Sequence, residues 1–202
     1  GSFEIQGNVI TNTIDDGDTS TGWAGDGIYI ALESDRNRDT LQAEVDANSL
    51  LIESVVENNT IGVDGQGNDG HGMNFRLTER TRIQDLELVK NFFVNNALDG
   101  FHFVRTENGS LNSVLLDNND VTNNEGDGLD LFAENSVDDR LDFKILRNDI
   151  NNNGEYGVRI DVEASARIEV DFDTNDVIAN GRNENGFHPD NSNPPTDPND
   201  PT

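Results

Sequence analysis

An asparagine followed two residues later by an apolar residue recurs at Asn8, Asn59, Asn91, Asn119, Asn148 and Asn175, and the last four intervals are 32, 28, 29 and 27 residues. A second asparagine lies four residues on at Asn12, Asn95, Asn123 and Asn152, and in the sixth copy it falls at Asn180. Downstream of each copy comes a glycine: Gly27, Gly72, Gly100, Gly128, Gly157 and Gly186, spaced by 45, 28, 28, 29 and 29 residues. In the three central copies the asparagine-to-glycine distance is 9 each time. A register held this closely is the mark of stacked structural units.

Within each copy the apolar residues alternate, as in Val114-Leu116, Phe143-Ile145 and Ile168-Val170 before the asparagine and Leu129-Leu131 and Val158-Ile160 after the glycine. A period of two specifies strands, and no long 3.6-residue pattern competes with it. Each copy therefore holds a strand before the asparagine, a short strand after it and a longer one after the glycine. Three short strands cannot close a core alone, but stacked copies can, each strand pairing in parallel with its equivalent in the next copy.

The pattern N-x-[VIF]-x-x-N followed by G-[DHEY]-G-[ILMFV]-x-[ILF] resembles the repeats of the pectin-lyase-like superfamily, over roughly residues 3–189. The resemblance implies an all-β fold, a right-handed parallel β-helix of about five to six rungs. It also implies an asparagine ladder at the bend between the second and third sheets. Asparagine suits that place because it tolerates the left-handed backbone region and its amide bonds to the copies above and below. The glycine is expected to relieve the turn before the next strand.

Apolar residues make up 33% of the chain, which suffices when they point inward periodically. The formal charge of −27 argues against nucleic acid or an anionic membrane face as partner. It fits saline surroundings, and carboxylate-rich loops also suit a divalent cation, so calcium is the candidate cofactor. There is no cysteine, and no membrane-spanning stretch is visible. Gly1-Ser2 reads as a cloning remnant, residues 3–189 as the repeat domain with an insertion at 31–50, and residues 190–202 as a Pro/Asp/Asn-rich linker. These features suggest a segment of a longer extracellular or cell-surface protein, with flanking domains and no membrane insertion.

Several stretches are candidates for chemistry. Gly65–Asp69 partly matches a calcium-binding nonapeptide but occurs once, which favours a plain glycine-rich loop. Asp15 and Asp18 are closely spaced carboxylates suited to a hard cation. The strand after each glycine is more informative. Its outward ladder is Tyr29, Asn74, His102, Asp130, Arg159 and His188. The next outward step includes Arg76 and Asp161, and the residue before the glycine is Asp26, His71, Asp99, Asp127, Tyr156 or Asn185. Rungs stack about 4.8 Å apart, so His102, Asp130 and Arg159 form one line.

Such a column supports proton abstraction, with His102 or Tyr156 as acid or base and Arg159 neutralising a substrate carboxylate. Asp130 completes the catalytic set. Asn74, Arg76, Asp161 and His188 are substrate-binding candidates, and Asp99 and Asp127 join Asp15 and Asp18 as metal candidates. The competing expectation is a solvated mixed-charge face. The sequence thus points to an extracellular module that contacts a polysaccharide or cell-surface glycan, or serves as an adhesive or structural spacer. The alternative is a calcium-dependent polysaccharide lyase or C5-epimerase.

Overall fold

In the computed structural model the chain is an all-β parallel solenoid of three sheets. Residues 2–14, 25–32, 50–51, 53–78, 82–106, 110–134, 140–163, 166–181 and 187–191 are described. Each copy contributes one strand to each sheet. The first sheet runs Glu4–Gln6, Ser54–Glu57, Arg82–Val89, Ser110–Asp117, Arg140–Leu146, Arg167–Asp173, with Leu50–Leu51 also pairing with Arg82–Val89. The second stacks Val9–Ile10, Thr60–Ile61, Phe92–Val94, Asp120–Thr122, Asp149–Asn151 and Asp176–Ile178. The third stacks Ile28–Leu32, Met73–Leu77, Phe101–Arg105, Leu129–Ala133, Val158–Val162 and Phe187–Asn191. The solenoid has about four turns, fewer than the five to six expected.

The core is the alternating apolar set. Val114, Leu116, Leu129, Leu131, Ile145 and Val158 are fully buried. Phe75 and Phe103 stack across one rung step with centroids 5.9 Å apart, and Phe143 meets Phe103 edge-on at 5.2 Å. Each ring excludes water along the axis, and Phe103→Ala would leave a hole costing about 3–5 kcal/mol.

Two asparagine ladders hold the rungs in register. In the first, the backbone N–H and the Nδ2 of Asn91 donate to Asn119 Oδ1, at 2.9 and 3.1 Å. Asn119 does the same to Asn148 Oδ1, at 2.9 and 2.9 Å. Its Nδ2 also donates to Leu88 O at 2.9 Å, tying the side chain to the first sheet of the preceding copy. Asn59 and Asn148 repeat the pattern. In the second ladder Asn96, Asn124, Asn153 and Asn180 are linked in the same way, with Asn68 donating to Asn96 at 2.8 Å.

The ladders correct two expectations. Left-handed backbone and amide stacking are carried by different residues. The residue before each stacked asparagine takes the positive φ: Asn58 (54°), Lys90 (54°), Asn118 (55°), Arg147 (55°) and Thr174 (56°) in the first ladder. In the second it is Asn95 (58°), Asn123 (58°), Asn152 (57°) and Ala179 (57°). The stacked residue therefore lies five places after the first-ladder asparagine, and Asn180 is in register rather than displaced. The division follows from geometry: a left-handed residue reverses the chain, and the next residue then points its amide along the stack. Asn68, inside the glycine-rich loop, is the loop's contribution to this ladder.

The glycine before the third sheet likewise serves close approach rather than a strained turn, since Gly72, Gly100 and Gly128 are absent from the positive-φ residues. A Cβ on Gly128 would lie 2.5 Å from Gly157 O and 2.6 Å from Ile150 Cγ2. Only a residue without a side chain lets these rungs meet.

Asn124→Ala should lower stability by about 2–4 kcal/mol, because it strands buried amide groups on both neighbouring rungs. Asn123→Gly, at an exposed left-handed position, should change it by less than about 1 kcal/mol. Urea unfolding of both variants checks the division; a reversed order would refute it.

Candidate functional site

The third sheet delivers the expected column. His102 is register-paired with Asn74 on one side and Asp130 on the other, Asp130 with Arg159, and Arg159 with His188. Asp161 is two residues beyond Arg159 in the same strand. Arg76 stands one outward step from Asn74 and pairs with Val104. His188 is placed by its backbone register. Asp15 and Asp18 lie outside the described residues, as do Asn185 and residues 33–49 of the expected insertion.

The column is only partly solvated: Asn74 is 3% and Asp130 9% exposed, as is Asp127 beside it at 2%, because the side chains pack on one another across rungs, while Arg159 keeps 37% of its side chain exposed. His102 Nδ1 lies 3.0 Å from Asp130 Oδ2 and 3.4 Å from Asp99 Oδ2. His71 Nδ1 lies 3.1 Å from that same Asp99 Oδ2. The His71 and His102 rings are stacked, with centroids 4.3 Å apart and planes within 10°. Farther along, Arg159 pairs with Asp161 and reaches to 4.0 Å from Asp127 Oδ2.

The residues before the glycines form a third ladder. Asp26 Oδ1 accepts the His71 N–H at 2.8 Å, Asp99 Oδ1 the Asp127 N–H at 2.7 Å, and Asp127 Oδ1 the Tyr156 N–H at 2.7 Å. His71 Nδ1 takes the Asp99 N–H at 3.3 Å. Asp99 and Asp127 thus have a structural role on their inner oxygens and turn their outer oxygens to the column. Asp26, which also accepts from Asn74 Nδ2 at 2.9 Å, and His71 belong to the cluster although the sequence reading left them out of its site residues. The signal for both was their shared place before the glycine. Arg105, also missed, is fully buried at an inward position between Leu77 and Ala133, which strict alternation from Phe101 would have flagged.

The electrostatics of the cluster divide along the column. Burial disfavours a charged His102, but hydrogen bonds to Asp130 and Asp99 outweigh it and lift the imidazole to about 9. Burial likewise works against an ionised Asp99, yet its contacts with His102 and His71 hold its carboxyl well below the usual range. Asp127 goes the other way. Burial, then the charges of Asp99 and Asp130, raise it to about 7 against the opposing Tyr156 N–H and Arg159. The arrangement combines a charged imidazolium pinned between two carboxylates, a carboxyl that titrates near neutrality and a guanidinium beside it.

As for metals, the donors around Asp99 are imidazole nitrogens, whereas calcium takes six to eight oxygens. The Asp99 surroundings do not fit that ion.

No family model matches the chain, and neither does any curated protein or solved structure.

Two pH effects follow. His102 titrates near 9 when folded against 6.5 for the free side chain, so its stabilisation is complete below 6.5 and is lost as pH rises through 9. The ring signals of His102 should accordingly remain those of an imidazolium at pH 8 by NMR. Asp127 is raised from 3.8 to about 7, so its burial costs nothing below 3.8 and costs most above 7. Asp127→Asn should match the parent in unfolding free energy near pH 4 and exceed it at pH 8.5, by on the order of 1–3 kcal/mol, with a higher melting temperature there. Equal melting curves at both pH values would contradict the assignment.

Proposed function

We propose that this chain is a glycan-contacting module of the pectin-lyase-like kind, working outside the cell as part of a larger secreted or surface protein. The single observation that carries the reading is the in-register column Asn74, His102, Asp130 and Arg159 on four consecutive rungs. Of these groups His102 and Arg159 keep 20% and 37% of their side chains exposed, and on a rigid sheet they offer polar contacts at a fixed spacing to an extended polymer. Sugar hydroxyls both donate and accept, and the column supplies both kinds of partner. Rigidity also helps, because groups already held in place lose little freedom when a ligand docks.

The charge of −27 narrows the substrate class. A polyanion is repelled over about a Debye length, so an acidic glycan needs local cations to bind. Arg159, Arg76 and the His102 imidazolium are the groups that could meet a uronate carboxylate. Neutral glycans face no such barrier and are the favoured class.

A second reading, proton transfer on an acidic polysaccharide as in a lyase or C5-epimerase, is favoured by one feature. Asp127 keeps an outer oxygen 4.0 Å from Arg159, so a carboxylate that could abstract a proton lies beside a cation that could neutralise the substrate's carboxylate.

A glycan array probed with the wild-type chain and with Arg159→Ala and Arg76→Ala separates these readings. Binding of neutral oligosaccharides, weakened about tenfold or more by either substitution, is expected. Binding to no glycan would leave only a spacer. Incubation with polyuronates, followed by ultraviolet absorbance of unsaturated ends and proton NMR, tests the second reading; turnover unaltered in Asp127→Asn would remove Asp127 from it.

A further inference from the structure

The donor atoms around Asp99 are placed as metal ligands are. The nitrogen and oxygen donors of His71, Asp99 and His102 lie within 4.8 Å of one another. The separations from Asp99 Oδ2 are 3.1 Å to His71 Nδ1 and 3.4 Å to His102 Nδ1, and Asp130 Oδ2 is 3.0 Å from the latter. Metal bonds of about 2.0–2.2 Å put neighbouring donors about 3.0 Å apart in an octahedron and about 3.4 Å apart in a tetrahedron. The observed edges span that interval.

Hydrogen bonding leaves the same place under-supplied with donors. His71 Nδ1 lies 3.3 Å from the Asp99 backbone N and 3.1 Å from Asp99 Oδ2, so one ring atom serves both a donor and a carboxylate. A proton on Nδ1 would relieve that contact only by giving up the N–H bond. On either side of His102 stands a buried acceptor with no hydrogen-bond partner: Asn74 Oδ1 on one rung and Asp130 Oδ1 on the other. Buried acceptors are almost always satisfied, so two flanking one imidazole call for a cation or donor between them. The position is also built for Asp99. A Cβ on Gly126 would lie 2.4 Å from Asp99 Oδ1, so glycine there makes room for the carboxylate. The side chains of His71 (14%), Asp99 (13%) and His102 (20%) keep enough exposure for an ion to reach them.

We propose that His71, Asp99 and His102 bind a divalent first-row transition ion. Two imidazoles and a carboxylate select zinc, iron, cobalt or nickel over the oxygen-seeking calcium. A bound ion would take the single Nδ1 lone pair of each ring, displacing the Asp99 N–H from His71 and the proton that His102 shares with Asp130 and Asp99. The site shares His102 with the glycan column, but its test reads metal binding with no glycan present.

The test uses chelator-treated protein titrated with zinc chloride by calorimetry, with calcium chloride at matched ionic strength as the comparison. One zinc per chain is expected, undisturbed by an equal concentration of calcium, and weakened at least about tenfold by His71→Gln or His102→Gln. Should either variant fail to fold, ring NMR of the wild-type chain decides the matter. The chain has three histidines, and zinc should shift His71 and His102 while leaving His188, three rungs from His102 by strand register, unchanged. Displacement of zinc by equal calcium, tight binding that survives His71→Gln/His102→Gln, or equal shifts on all three rings would overturn the proposal.

Discussion

The amide of a buried asparagine is the interaction on which this solenoid rests. Each ladder amide accepts on Oδ1 from the rung before it and donates from Nδ2 to the rung after it, with a third bond to backbone. Buried and unpaired, such a group would cost more than a good hydrogen bond returns. A one-residue slip of any rung would strand amides in both ladders and also turn the apolar set outward. The ladders therefore do for register what the phenylalanine stack does for cohesion. Hydrophobic burial holds the turns together, and the amides decide which residue sits on which.

Because register is so tightly held, whatever occupies a free position is stacked on its counterparts one strand spacing away. On the third sheet this brings ionisable groups into a line, with consequences that differ along it. Where an imidazole falls between carboxylates, as at His102, the charges support one another. Where carboxylates follow carboxylates, as at Asp127, burial and like charge push a proton onto one of them near neutral pH. Stacking two buried carboxylates works against stability, and local strain of this kind is what functional sites carry. Both the glycan reading and the metal site draw on this strip, the first on its outer groups and the second on the pocket around Asp99.

Much of this was legible without coordinates. The 28–29-residue period, the alternation of apolar residues and the absence of any helical pattern determined three parallel sheets, and the outward ladder from Tyr29 to His188 was read in its true register. These properties are periodic, and periodicity is local information that a sequence states directly. The second ladder was misplaced by one residue because two consecutive asparagines, such as Asn95 and Asn96, look alike in sequence. Only backbone dihedrals tell the left-handed one from the stacked one. The lone Asn180 after Ala179 was the clue that stacking belongs to the second of the pair.

What the sequence by itself determined is the fold and the order of groups along each column. What only the tertiary structure decided is their environment: that Asp127 and Asp130 are buried, that His71 lies on His102, and that the glycines serve close approach rather than turning. The physical reason is that burial and charge coupling depend on what stands one rung above and below. Those neighbours are 27 to 32 residues away in the chain across the regular copies, and they meet only when the solenoid winds.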